Sequence, residues 1–282
     1  MLAKLLVHFY FFVHGTLGLP GAGWLMRKLV PFVSSLHSFP LTIPDVGTVT
    51  LDFRDEASYG VLNMFLGDYG KYTRLFRHME RHLGPEKILW DIGANVGFIC
   101  MYFVHPRHRL QVIHAFEPTP VALKPLLSLF RNHPRVQVHP IGLGDCDQVA
   151  RMAMASRGSC LSSLVRPLTD GEQIDVNIRR GDSYRAEKKL APPDFIKIDV
   201  EAYEPQVLAG LAETIREFRP VILFEHSLLD DQAVRGLVPP QYRLLFIVDE
   251  DKLTADFNRR METDDALLVP EEKAGSIYGL LV

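Results

Sequence analysis

A chain of 282 residues, 47% apolar and 23% charged, suits one α/β domain with an appendage and excludes a disordered, collagen-like or coiled-coil protein. Its 31 basic and 34 acidic residues leave a net charge of -3, so the chain lacks the broad positive field that drives sequence-independent binding to nucleic acid. Three scattered cysteines, Cys100, Cys146 and Cys160, have neither the pairing of a disulfide framework nor the spacing of a zinc site, and they point to a reducing, cytoplasmic setting.

The chain opens on an apolar stretch. No Asp, Glu, Lys or Arg falls between Leu5 and Met26, yet His8, His14, Gly15, Gly18, Pro20, Gly21 and Gly23 leave only residues 5–13 as a continuous apolar run. That run is too short to cross a bilayer. A cleaved signal peptide starting at Lys4 is one reading. The reading adopted is an apolar helix packed on the domain or lying on the inner membrane surface, with residues 1–33 as the region of peripheral membrane contact. Residues 41–54 read as short strands with turns at Pro44-Asp45 and Gly47. In 71–83, Tyr72, Leu75, Phe76, Met79 and Leu83 recur at helical spacing against Lys71, Arg74, Arg77, His78 and Arg81, before Gly84-Pro85 stops the helix. His78 and His82 are four apart but sit on that Arg-rich face, and they are read as surface residues rather than metal ligands. Residues 1–84 therefore form a lead-in to a domain over 85–282.

From residue 88 the pattern alternates. Apolar strands at 88–91, 110–116 and 136–141 are separated by helical stretches at 96–104 and 119–130, the second with Thr119 as cap, Pro120 in its first turn and Pro125 as an expected kink. Polar-apolar alternation at 149–155 and 173–178 predicts a hairpin insertion over 146–190. Order resumes with a strand at 195–200, a helix at 205–218, a strand at 221–224, and a closing antiparallel pair at 242–248 and 266–269. Seven strands in this order predict a doubly wound, Rossmann-like, mostly parallel sheet.

Chemistry-bearing residues gather at the predicted strand tips. In Asp91-Ile92-Gly93-Ala94-Asn95-Val96-Gly97-Phe98 a strand runs into a glycine turn and a helix, where Gly93 permits close ligand approach and Gly97 close helix packing. A dinucleotide cradle would place glycines where Asn95 and Phe98 stand, and Asp91 favours a ligand bearing an amino group or other cation over a diphosphate. Glu117, in Phe116-Glu117-Pro118, occupies the second strand tip, where a carboxylate accepts two ribose hydroxyls. Asp145 follows Gly142-Leu143-Gly144 at what reads as the third tip, within reach of an adenine amino group. Asp199 and Glu201 end the fourth strand and Glu225-His226 the fifth.

At these residues the chain resembles the FkbM-type methyltransferases, class I enzymes that use S-adenosyl-L-methionine to methylate hydroxyl oxygens. The matching pieces are DIGANVGF at 91–98, FEPTP at 116–120, IGLGD at 141–145, SSL at 162–164, FIKIDVEAYEPQVLAG at 195–210 and VILFEH at 221–226. The resemblance implies that Asp91, Gly93, Asn95 and Gly97 surround the methionine part of the cofactor, that Glu117 holds the ribose, and that Asp145 holds the adenine. Two positions depart from the family pattern: Ala202 stands where glycine is usual, and Thr73 replaces a common glutamate, leaving Tyr72 as the contact there.

The resemblance further implies an acceptor that is a hydroxyl of a sugar, a glycan or a polyketide-type metabolite. Transfer to an alcohol needs alignment and a destination for its proton. His226 is the expected base, oriented by Glu201 or Glu225, with Asp199 near the sulfonium. The second mechanism is Mg²⁺ on Asp199, Glu225 and His226, less favoured because Mg²⁺ prefers oxygen ligands. The rival readings are a non-catalytic scaffold with the same fold and an NAD-dependent oxidoreductase. Residues 159–164 and 165–190 are expected to wall the acceptor pocket, and Arg179, Arg180 and Arg185 read as a solvated cluster.

Overall fold

A computed structural model describes residues 2–10, 12–13, 22–43, 46–54, 58–59, 61–62, 72–154, 164 and 173–281. The strands are β1 (Phe39–Ile43), β2 (Gly47–Leu51), β3 (Ile88–Ile92), β4 (Val112–Phe116), β5 (Val136–His139), β6 (Gly142–Gly144), β7 (Gln148–Ala153), β8 (Gln173–Arg180), β9 (Phe195–Ile198), β10 (Val221–Glu225), β11 (Tyr242–Asp249), β12 (Lys252–Thr254) and β13 (Asp265–Pro270).

The central sheet has the order β12-β11-β13-β10-β9-β3-β4-β5. Strands β5, β4, β3, β9 and β10 run parallel. β13 enters antiparallel between β10 and β11. The seven expected strands are thus joined by an eighth, β12, because the chain leaving β11 turns back at Asp249 and pairs antiparallel along the edge. β3, β4, β9 and β10 are wrapped on both sides and are nearly all apolar, as buried parallel strands must be. The chain winds outward from β3 to β5, then returns to β9 on the other side of β3. This reversal opens a crevice beyond the carboxyl ends of β3 and β9, the usual ligand position in such sheets.

Several local expectations change. β6 leaves the main sheet: β6 and β7 flank β8 in a separate three-stranded sheet. The 146–190 region accordingly contains the antiparallel β7–β8 pair and then helix Gly181–Lys188. Helix Pro120–Phe130 runs through Pro125 without a break. Residues 204–218 form two helices, Glu204–Gly210 and Ala212–Phe218, parted at Leu211. His78 lies buried rather than solvated, its Nε2 2.9 Å from the Asp249 carbonyl, because helix Tyr72–His82 packs on β11 and covers it.

The lead-in and the sheet share one hydrophobic cluster. Val7, Tyr10, Met26, Val30, Leu36, Val49 and Phe76 belong with Leu89, Ile113, Leu126 and Leu223, so the apolar start of the chain packs into the core. No helix among the described residues is long and apolar enough to cross a membrane. The Pro44-Asp45 turn and the Gly70 end of the Gly70–Tyr72 motif lie outside the described residues, as do Cys160, Ser162, Ser163 and most of the expected acceptor wall at 159–172; Leu164 is described.

Candidate active site

The crevice holds a cavity of about 300 Å³, bounded by Gly93, Ala94 and Asn95 after β3, Glu117 to Thr119 after β4, Lys197 and Asp199 to Glu201 at the end of β9, and Glu225 and Ser227 at the end of β10. Apolar walls come from Phe98, Leu143, Met152 and Ile178, among others. An apolar volume with a few convergent polar groups is the expected form of a small-molecule site.

Close backbone approach builds the floor. Gly93 has φ of 77°, and a Cβ there would fall 1.9 Å from the Asp199 carbonyl oxygen. No side chain fits without moving the tip of β9. The Gly93 and Ala94 amides both donate to the Phe116 carbonyl at 3.0 Å, locking the turn to β4. Asn95 takes the left-handed conformation at φ 50°, which asparagine tolerates better than most residues, and its Oδ1 accepts from the Val96 amide at 2.7 Å. Gly97 acts elsewhere. It does not line the cavity; a Cβ on it would meet Leu126 and Phe130 at 2.8 Å, so it brings the helix after the turn against helix Pro120–Phe130.

Glu117 is buried and fixed at both oxygens. Oε2 accepts from the Asn95 amide at 2.9 Å, and Oε1 from the Thr119 amide at 2.8 Å and hydroxyl at 2.6 Å. Thr119 therefore orients Glu117 instead of capping its helix through its side chain. Burial raises the Glu117 carboxyl, and these hydrogen bonds pull against that rise. A carboxylate has about four acceptor sites and three are taken, so one remains, on Oε2, for a single ribose hydroxyl rather than the two expected from the sequence.

Asp91 lies beneath the cavity and does not line it. Its partner is Lys197, which alternates with Asp199 and Glu201 in the sequence but is given no role there. The buried ammonium donates to the Gly93 carbonyl at 3.0 Å and lies 3.4 Å from Asp91 Oδ1 and 3.5 Å from Asp199 Oδ2. One cation thus ties the glycine turn, the buried acid and the tip of β9 together. A lysine inside the apolar run Phe195-Ile196-Lys197-Ile198 was the available signal, since an interior lysine needs a partner. Burial raises the Asp91 carboxyl, and Lys197 opposes the rise.

Three carboxylates meet at the mouth: Asp199, Glu201 and Glu225 each bring one oxygen within 4.8 Å of the others. Such crowding favours a positive charge between them, whether a sulfonium or an oxygen-coordinated cation. Burial, then the nearby Asp199, push the Glu225 carboxyl up to about 8, while the Ser227 hydroxyl donates to its Oε1 at 3.0 Å. Glu201 and Ala202 both have positive φ, 54° and 77°. Alanine thus occupies a left-handed position where the family resemblance expects glycine, a position that costs an L-residue about 1 kcal/mol or more.

Two expected residues stand apart. His226 is 1% exposed and is not among the cavity's lining residues. Its ring packs edge-on against Phe224 and Phe246, and its Nδ1 lies 3.2 Å from Arg260 Nη1. Burial, reinforced by Arg260, holds its pKa down at about 4. The reason is strand geometry: consecutive residues project to opposite faces, so Glu225 and His226 cannot both enter the crevice. Asp145 is exposed and absent from the lining, because it follows β6 in the smaller sheet and not a strand of the main one. Leu143 and Gly142 take the cavity position instead. The side chain of Tyr72 lies outside the described residues.

The family model described as "Methyltransferase FkbM domain" matches residues 91–256. The chain is 30% identical over 203 residues to the 31-O-demethyl-FK506 methyltransferase of Streptomyces tacrolimicus, covering 61% of this chain and 75% of that one. It is 30% identical over 196 residues to a 2-O-methyltransferase of Sinorhizobium fredii, covering 64% and 78%. A crystal structure of an FkbM methyltransferase from Methylobacillus flagellatus superposes with a TM-score of 0.44 at 18% identity, over 87% of this chain and 60% of that one.

Proposed function

The chain belongs to the FkbM methyltransferase family, whose members use S-adenosylmethionine, and from that premise we propose that the strand-tip cavity methylates a sugar, glycan or polyketide-type hydroxyl with Glu225 as the proton acceptor. Membership disfavours the dinucleotide and scaffold readings. The observation that carries the proposal is the convergence of Asp199, Glu201 and Glu225 at the cavity beside the Gly93 turn.

The residues present fit the cofactor. The missing Cβ at Gly93 lets the glycine turn close against the Asp199 backbone and leaves its own backbone lining the cavity, Glu117 offers one oriented acceptor for a ribose hydroxyl, and Leu143, Met152 and Ile178 supply an apolar slot for a base. Bound there, S-adenosylmethionine supplies a methyl group activated by a sulfonium. The protein's own part is alignment, charge and proton transfer. Asp199 and Glu201 set a negative field at the mouth, and Lys197 keeps the tip of β9 in register with the glycine turn. As the acceptor oxygen gains the methyl group, its O–H bond breaks and the proton passes to the Glu225 carboxylate, ending as a neutral carboxyl. Burial favours that neutral form. His226, enclosed by Phe224, Phe246 and Arg260, takes no part in this scheme.

Support for the acceptor class comes from the names of relatives: a 31-O-demethyl-FK506 methyltransferase, a 2-O-methyltransferase and, at 23% identity, a hexuronic acid methyltransferase of Haloferax volcanii. The test is transfer of labelled methyl from S-adenosylmethionine to a panel of glycans and macrolide alcohols. Transfer to one class that Glu225→Gln abolishes supports the reading. Undiminished transfer by Glu225→Gln would refute the assignment of the base, and an absence of transfer to every hydroxyl would refute the acceptor class.

A further inference from the structure

We propose that the N-terminal apolar face docks the protein onto an anionic lipid surface. Eleven large apolar side chains are exposed among the described residues, and six of them, Leu2, Leu5, Phe9, Phe12, Trp24 and Phe32, fall within the first 32 residues. Helix Leu2–Tyr10 is apolar on two sides. Val7 and Tyr10 are buried in the core, while Leu2, Leu5 and Phe9, at successive helical spacings of three and four, form a second face left in solvent. Phe12 continues that spacing. Trp24, in helix Ala22–Leu29, is 64% exposed, and Phe32 is 84% exposed. Isolated exposed apolar residues are ordinary, but such a concentration in one short segment marks an interaction surface.

Charge identifies the partner. Lys4, Arg27 and Lys28 are exposed in the same segment, and no Asp or Glu precedes Asp45. The first 44 residues are therefore purely cationic within a chain whose net charge is -3. Lys28 Nζ lies 5.9 Å from the centre of the Trp24 ring, so an aromatic ring and a cation share one spot, the combination favoured at the headgroup level of a bilayer. A short helix with an apolar outer face and flanking cations lies in the membrane plane, where apolar insertion and attraction to anionic lipid act together. The face is packed onto the core from behind, so docking needs no unfolding.

The inference does not depend on the methyl-transfer reading, and its test uses the full chain with vesicles of phosphatidylcholine alone or mixed with phosphatidylglycerol. Co-sedimentation is expected with the mixed vesicles and is expected to weaken as salt rises. Lys28→Glu weakens it roughly 25-fold, since each unit of charge near the surface contributes about a factor of five and reversal changes the charge by two units. Leu5→Glu with Phe9→Glu abolishes it, with an unchanged urea-denaturation midpoint as the check on folding. The chain has two tryptophans, and Trp90 is wholly buried, so a blue shift of emission on adding vesicles reports Trp24 and vanishes in Trp24→Phe. No binding to the mixed vesicles, or binding that Leu5→Glu with Phe9→Glu leaves intact, would overturn the proposal. So would a dimer, lost in that double variant, from a protein that ignores lipid.

Discussion

The two sides of the β10 tip make an instructive contrast. Glu225 faces a cavity crowded with acids, where a rise in its pKa to about 8 keeps it able to exchange a proton near neutral pH. His226, one residue later, points into a pocket closed by two phenyl rings and Arg260, where its pKa falls to about 4 and no substrate proton can reach it. The residue type best suited to acid-base work in water is here structural, and the carboxylate is the group left poised. Environment moves the proton affinities of two adjacent side chains in opposite directions.

Cofactor binding is expected to fail first at the cavity floor beside Glu225. Gly93→Ala forces a methyl group into the Asp199 carbonyl and is expected to weaken S-adenosylmethionine binding at least ~100-fold, more than 2.7 kcal/mol, as read by calorimetry. Next comes the contrast itself. Glu225→Gln lowers labelled-methyl transfer by roughly 10²–10⁴-fold, the range for a lost general base, while His226→Asn stays within about threefold of wild type and lowers stability by about 1–3 kcal/mol through its disturbed buried contacts. Equal losses from the two variants would erase the distinction. Lys197→Met should destabilise by about 3–5 kcal/mol in urea denaturation, because Asp91 is left as a buried acid without its cation, and Asp91→Asn in the same chain should recover part of the loss. The smallest effect sharpens the turn beside the cavity: Ala202→Gly relieves a left-handed φ of 77° and stabilises by about 1 kcal/mol.

Glu225 also makes the stability of the ligand-free protein pH-dependent. Its folded pKa lies above the ordinary carboxyl value of 4.5, so the folded state binds the proton more tightly than the unfolded chain. Its contribution to stability is present in full below pH 4.5 and is lost as pH rises from there through about 8. Glu225→Gln should flatten that decline in a denaturation series over the same range.

The parallel sheet and the glycine turn were legible because their signals are local: apolar runs at strand length, and a turn at Gly93 that tolerates no side chain. Glu117 was legible for the same reason, since a carboxylate directly after an apolar strand stands at its tip. What failed to show was which face a residue presents and which sheet it belongs to. Asp145 follows an apolar, strand-like run, but β5 stops at His139 and β6 departs into another sheet. Ala202 reads as a mild change in the sequence; only its φ reveals that the turn keeps a glycine conformation without the glycine. Lys197 lay in plain view, yet its partners Gly93 and Asp91 are more than a hundred residues away.

The central claim is that a cationic ligand answers the acid cluster through Glu225, and calorimetry of S-adenosylmethionine against S-adenosylhomocysteine, which lacks the sulfonium charge, tests it most directly. Titrated from pH 6.5 to 9, the wild-type protein should prefer the cation increasingly as Glu225 ionises through about pH 8, and Glu225→Gln should show a constant preference. A wild-type preference that does not change with pH, or one that still rises in Glu225→Gln, would contradict it.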